Sequence, residues 1–175
     1  DYVIGPGDTF TIQAFAATNV QYNLTVTREG MLLIPDAGAV NLSGLTFEEA
    51  KVVISEAIET RRIGIKTIVT LSEFRSIQIM LVGEVSKPGS YSVSGFSTLI
   101  NALVSSGRVK RTGSLRNIQV KRHGSVVATF DLYALLLKGD DSANIYLRQG
   151  DLIFVPPVGP TVGIAGEILR PAIYE

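Results

Sequence analysis

The phrase GEVSKPGSY, Gly83 to Tyr91, returns 83 positions later as GEILRPAIYE, Gly166 to Glu175. Gly83 falls on Gly166, Glu84 on Glu167, Pro88 on Pro171 and Tyr91 on Tyr174. Solenoid repeats recur every about 20 to 50 residues, so so long a period reads as duplication of a whole small domain, each copy opening a unit. In the first copy Pro88-Gly89 is expected to fill the centre of a type II turn, proline presetting φ and glycine accepting the positive φ. Ala172 stands where the second copy needs that glycine. The second copy stops after its opening strand, so we expect a piece of a longer protein, its last strand pairing with the first domain or with a neighbouring copy.

A second phrase also recurs: GPGDTFTI at Gly5 to Ile12 and RQGDLIFVP at Arg148 to Pro156. In each, a glycine and an aspartate end a turn that feeds an alternating strand. The motif residues are Gly5, Pro6, Gly7 and Asp8 in one, Gly150 and Asp151 in the other. Each aspartate is expected to bond backbone amides of its own turn.

Between these phrases the chain alternates strand and helix patterns. TFTIQAF, NLTVT and MLLIP read as short strands, with Gly30 and Asp36-Ala37-Gly38 as turns. In LTFEEAKVVISEAIETRRIG, Thr46 and Glu49 form a capping box, and Ala50, Val53, Ile54, Ala57 and Ile58 share one helical face. Arg61 and Arg62 suit the last turn, with Gly64 beyond it. TIVTL and SIQIMLVGEV follow as strands, with Ile77, Ile79 and Leu81 on one side. A short helix over 98–106, a hairpin turning at His123-Gly124, a Leu-rich helix capped by Asp131 and closed by Gly139, and a last turn and strand complete the pattern. The fold class is α+β, small sheets each covered by a helix.

Catalysis lacks parts. The 175 residues hold no cysteine and one histidine, His123, which sits in the hairpin turn, so no thiolate, metal cluster or His-based nucleophile is available. Glu84 and Glu167 occupy equivalent places in separate repeats, an arrangement that does not bring two carboxylates into one site. Gly5-Pro6-Gly7 precedes a strand, so it is no phosphate loop. Asn23-Leu24-Thr25 and Asn41-Leu42-Ser43 match the glycosylation acceptor pattern, which is common by chance and carries no weight. We therefore expect no enzyme and no cofactor or metal. Sixteen basic residues balance sixteen acidic ones, which gives nucleic-acid binding no global support.

Charge does gather locally. Arg108, Lys110, Arg111, Arg116, Lys121 and Arg122 lie in one stretch. Ordinary solvated surface is the default for such a run; the functional alternative is a contact for an anionic polymer or for an acidic neighbouring subunit, centred on Arg108, Lys110 and Arg111. Asp140 and Asp141 are candidate complements, which would suit a head-to-tail ring. A mean hydropathy of +0.29 leaves apolar area for burial against partners.

Taken in order, YVIGPGDTFTI, EGMLLIPDAGAVNLSGLTFEEA, VGEVSKPGSY, QGDLIFVP and AGEILRPAIYE resemble the polysaccharide export family of outer-membrane lipoproteins, the Wza type. The resemblance spans almost the whole chain. It departs at Ser105-Ser106-Gly107, where the family has Ala-Gly-Gly, which affects the loop after the short helix. It implies an N-terminal polysaccharide export domain at residues 1–75, a soluble-ligand-binding β-grasp (SLBB) domain at 76–160, and the start of a second SLBB repeat at 161–175.

The resemblance further implies a periplasmic ring of several copies conducting capsular or extracellular polysaccharide. It also implies an inner-membrane polysaccharide co-polymerase as partner, and outer-membrane anchoring through a lipidated cysteine upstream and an amphipathic helix downstream. The competing expectation is a stand-alone periplasmic carbohydrate-binding β-grasp module without a pore. The lack of Trp weighs against that module, because sugars stack on aromatic faces.

Overall fold

A computed structural model describes residues 2–15, 19–61 and 64–175 of the chain. It divides into two compact units, Asp1–Ser76 and Ile77–Glu175.

In the first unit β1 (Thr9–Phe15) is the centre of a three-stranded antiparallel sheet, flanked by β2 (Val20–Thr25) and β5 (Lys66–Glu73). Phe10, Ile12 and Ala14 alternate into the core, as period-two spacing demands. A hairpin of β3 (Met31–Ile34) and β4 (Gly38–Asn41) adds Leu32, Ile34 and Val40. The turn expected over Asp36 to Gly38 centres on Asp36, at φ 62°, and Gly38 already opens β4.

The helix α1 (Phe47–Glu59) closes this core with Ala50, Ile54 and Ile58 buried and Val53 and Ala57 partly so. Its capping box is formed: Glu49 N–H donates to Thr46 Oγ1 at 3.4 Å, and Thr46 N–H to Glu49 Oε2 at 2.8 Å. The bonds from Thr46 hold the Glu49 carboxyl below its ordinary range. The helix ends at Thr60, so Arg61 lies beyond its last turn; Arg62 falls outside the described residues.

The second unit is built on a five-stranded sheet in the order β7 (Gly89–Ser94), β6 (Ser76–Gly83), β10 (Leu152–Val155), β8 (Ile118–Arg122), β9 (Ser125–Phe130). The pair β6 and β10 is parallel; β10 with β8 and β8 with β9 are antiparallel. Ile77, Ile79, Leu81, Ile118, Val120 and Ile153 make the sheet's buried face, with Leu99 and Ala102 of α2 (Leu99–Ser105) in the same core. Around Ser105 to Gly107, Ser106 caps α2 in the right-handed region and its Oγ donates to Leu103 O, while Gly107 takes φ 114°. His123 and Gly124, at φ 49° and 82°, carry the two positive dihedrals of a type I′ hairpin turn, and His123 is exposed.

Asp131 caps α3 (Leu132–Lys138) by accepting from Tyr133 and Ala134 N–H, and Gly139 ends it in the left-handed region. The mixed helices and sheets make the chain α+β, and the second unit has the β-grasp character expected of it.

Two expectations are corrected. Gly89 takes φ 153°, far from the φ near +80° of a type II turn, and opens β7 directly. The last strand, β12 (Ala172–Tyr174), does not reach for a distant sheet. It pairs antiparallel with β11 (Val162–Ile164), so the second copy supplies two strands, not one. Among the described residues no helix is long and apolar enough to cross a membrane.

Candidate functional site

The two Gly-Asp phrases fold into one device used twice. Asp8 N–H bonds Gly5 O at 3.2 Å and Asp151 N–H bonds Arg148 O at 3.1 Å, while Gly7 and Gly150 take φ 94° and 82° at the third position. That is the type II geometry expected elsewhere; with Pro6 at the second position it forms in the first phrase instead. Each carboxylate reaches back three residues, Asp8 Oδ2 accepting from Gly5 N–H at 2.9 Å and Asp151 Oδ2 from Arg148 N–H at 2.8 Å.

Both aspartates are fully buried, and a buried charge needs a partner. Arg75 supplies one for Asp8, through its backbone N–H at 2.8 Å and its Nη1 at 3.0 Å. Tyr2 Oη adds a 2.6 Å bond, and burial together with Asp8 pushes the Tyr2 phenol well above its ordinary range. Arg122 grips Asp151 in bidentate fashion, Nε and Nη2 both at 2.7 Å, and its own pKa rises because Asp151 accepts those bonds.

Arg122 therefore leaves the basic cluster read from sequence. Arg116 leaves it too, bonding Asp131 Oδ2 at 3.1 Å and the Glu175 carbonyl at 2.7 Å. Lys121 lies over the Phe154 ring at 4.7 Å. Arg108, Lys110 and Arg111 remain exposed, and among the described residues no carboxylate pairs with them. Asp140, a proposed complement, is held below its ordinary pKa by bonds from Ser142 and is solvent-exposed.

The repeated phrase positions this cationic loop. Gly83 stands at φ 91°, and a Cβ there would lie 2.1 Å from Val155 O, so only glycine lets β6 end against β10. Beyond it Lys110 N–H donates to Glu84 O at 2.9 Å, Ser86 N–H and Oγ both donate to Arg108 O, and Thr112 Oγ1 donates to Glu84 Oε2. Gly83 and Glu84 thus act as a backbone template for residues 108–112. An apolar groove of about 270 Å³ opens beside the loop, lined by Ile100, Leu103, Val104 and Leu132 with Arg108 at its side.

The second copy reproduces the local geometry of the first. Gly166 takes φ 106° where Gly83 has 91°. Ile168 N–H donates to Gly166 O as Val85 N–H does to Gly83 O, both at 2.9 Å. Tyr174 Oη donates to Arg170 O at 2.8 Å, and Tyr91 Oη to Lys87 O at 2.6 Å. In both copies the hydroxyl satisfies the carbonyl just before the proline, Pro88 or Pro171, a role that the sequence spacing did not announce.

Glu167 is exposed at the β11–β12 turn whereas Glu84 is held by Thr112, so the two carboxylates build no common site. Among the described residues no three His, Cys, Asp or Glu side chains are grouped to hold a metal.

The chain thus carries a buried Asp8–Arg75 lock in its first unit and, in its second, a buried Asp151–Arg122 lock and a positioned cationic loop beside an apolar groove. Comparison with known proteins gives it a class. Residues 1–72 match the polysaccharide biosynthesis/export protein family and residues 78–131 match the SLBB domain. A module of each kind therefore stands in the chain, in that order. The two matches support the Wza-type polysaccharide export family, and the families they name are of export and transport proteins, not enzymes.

Among its relatives, the polysialic acid transport protein KpsD of Escherichia coli is 25% identical over all of this chain and 32% of its own length. The EPS I polysaccharide export outer membrane protein EpsA of Ralstonia solanacearum is 31% identical over 95% of this chain and 45% of its own length. The chain thus spans from about a third to under half of these relatives.

Proposed function

We propose that the chain is the periplasmic part of an outer-membrane polysaccharide exporter, acting as an oligomeric ring that conducts capsular or extracellular polysaccharide with no bond made or broken. The observation that carries this reading is the order of modules, export domain then SLBB domain, in a chain whose relatives are polysaccharide transport and export proteins. Residues 1–75 are the export domain, 76–160 the SLBB domain, and 161–175 open a second SLBB unit. An inner-membrane polysaccharide co-polymerase would hand over the polymer.

The β11–β12 hairpin supports a larger assembly. Ile79, Leu81 and Val85 are in the core of the first copy, but Val162, Ile164 and Ile168, their equivalents, are exposed by 62%, 43% and 41%. Apolar positions left open in this way call for further structure over them. The loop at Arg108, Lys110 and Arg111 offers charge for an acidic subunit or an anionic polymer.

The test is to image the detergent-extracted gene product and to assay polysaccharide at the surface of a deletion strain. Rings together with lost surface polysaccharide are expected. A strictly monomeric product would return the chain to a stand-alone carbohydrate-binding module.

A further inference from the structure

We infer that the outer face of the β2-β1-β5 sheet is a binding surface for the neutral hydroxyl groups of a glycan chain. The inference rests on the export reading and names a surface for its polymer.

Alternation buries Phe10, Ile12 and Ala14 and turns Thr9, Thr11 and Gln13 outward. Register sets each of them directly opposite a polar residue of β2: Thr9 against Thr25, Thr11 against Asn23, Gln13 against Gln21. The three rungs are closed by side-chain hydrogen bonds of 3.0, 2.9 and 3.4 Å. Thr70 continues the middle rung onto β5, opposite Thr11.

The lateral bonds hold these side chains in place while using only part of their capacity. Thr11 donates to Asn23 Oδ1 and Gln13 Nε2 to Gln21 Oε1, so the Asn23 and Gln21 amide N–H groups and the Gln13 carbonyl are left for an outside partner. A neutral row of this kind has no charge with which to hold an anion. Its chemistry is the exchange of hydrogen bonds with hydroxyls, one at a time, at small net gain for each. That suits a ligand which must be aligned and still slide.

At one end of the ladder Phe15 and Ile68 stand 37% and 53% exposed, Ile68 opposite Gln13. They offer apolar contact to the C–H face of a sugar ring beside the polar rungs. Charge enters by register only at the ends, Glu73 opposite Thr9 and Lys66 opposite Phe15. Three rungs at about 3.4 Å per residue span roughly 14 Å, enough for a short oligosaccharide.

The experiment is an NMR titration of the 175-residue chain with maltohexaose, and in parallel with oligosialic acid. Maltohexaose is expected to shift the Gln13, Gln21 and Asn23 side-chain amides, and the near-isosteric Gln21→Glu plus Asn23→Asp variant, which loses both amide donors, to bind about tenfold more weakly at unchanged melting temperature. Shifts confined to the second unit, shifts with oligosialic acid alone at Arg108 to Arg111, or no shifts with either sugar would each overturn the inference. A deletion strain separates this failure from the larger one. If deletion leaves surface polysaccharide unchanged, the export reading itself fails; if deletion abolishes it while maltohexaose moves no sheet amide, only the glycan surface is lost.

Discussion

Asp151 and Gly83 carry more of the second unit's geometry than any cation on its surface. Asp151 accepts from Arg122 twice and from Arg148 N–H while fully buried, so Asp151→Asn leaves a guanidinium without its charge and is expected to cost about 3 kcal/mol in a urea unfolding titration. Lys110→Ala, which removes an exposed side chain, is expected to stay within about 0.5 kcal/mol of the wild type. The two repeat glycines give a paired test. Gly83→Ala meets Val155 O and is expected to cost about 3 kcal/mol or more, whereas Gly166→Ala meets nothing within 4 Å and is expected to cost only the dihedral strain, about 1 kcal/mol. Equal losses at both positions would refute the reading that backbone crowding fixes Gly83. The sequence displayed these glycines and aspartates plainly. It hid the arginines, because Arg122 stands 29 positions from Asp151 and Arg75 stands 67 from Asp8, and nothing local marks either as a partner.

The β11–β12 hairpin depends on one carboxylate. Glu175 accepts from Leu115 N–H at 2.9 Å, Arg116 N–H at 3.3 Å and Gly159 N–H at 3.1 Å, and Tyr174 lies beside Tyr133 at 6.0 Å between ring centres. Burial opposes ionisation here, but the bonds from Ser114, Gly159, Leu115 and Arg116 outweigh it and hold the Glu175 pKa down. A depressed carboxylate stabilises the fold fully above its unfolded pKa, about 4.3, and loses that contribution as pH falls through the lower folded value. Hydrogen exchange at Val162 to Ile164 is therefore expected to accelerate as pH is lowered below about 4 relative to the intrinsic rate, and Glu175→Gln to remove that dependence. Local signals foretold α1, its cap and the His123-Gly124 turn, since all are written within a few residues. They missed β11, whose three residues carry too short a pattern, and misjudged Gly89, whose dihedral follows from joining a sheet and not from the proline before it.

At the scale of the molecule, the proposed export function calls on surfaces that folding leaves alone. Reversing Arg108, Lys110 and Arg111 to Glu is expected to impair export or ring assembly while leaving the melting temperature nearly unchanged, because their loop is held by backbone bonds to Glu84 and Ser86. Unchanged export, measured as polysaccharide at the cell surface, would return these residues to ordinary surface. The class of protein was legible because five ordered phrases stand together in the sequence. The cationic loop was only half legible: six positive residues in one stretch look alike until Asp151, Asp131 and Phe154 claim three of them. The paired tyrosine bonds have a practical consequence as well. Tyr91 and Tyr174 make the same bond to the carbonyl before a proline, Tyr91 packed against a filled core with Ser106 O as a second acceptor and Tyr174 in an open hairpin, so fluorine labels on the two rings would form an internal reference pair. In the proposed assembly, burial of the second copy is expected to move one resonance toward the other.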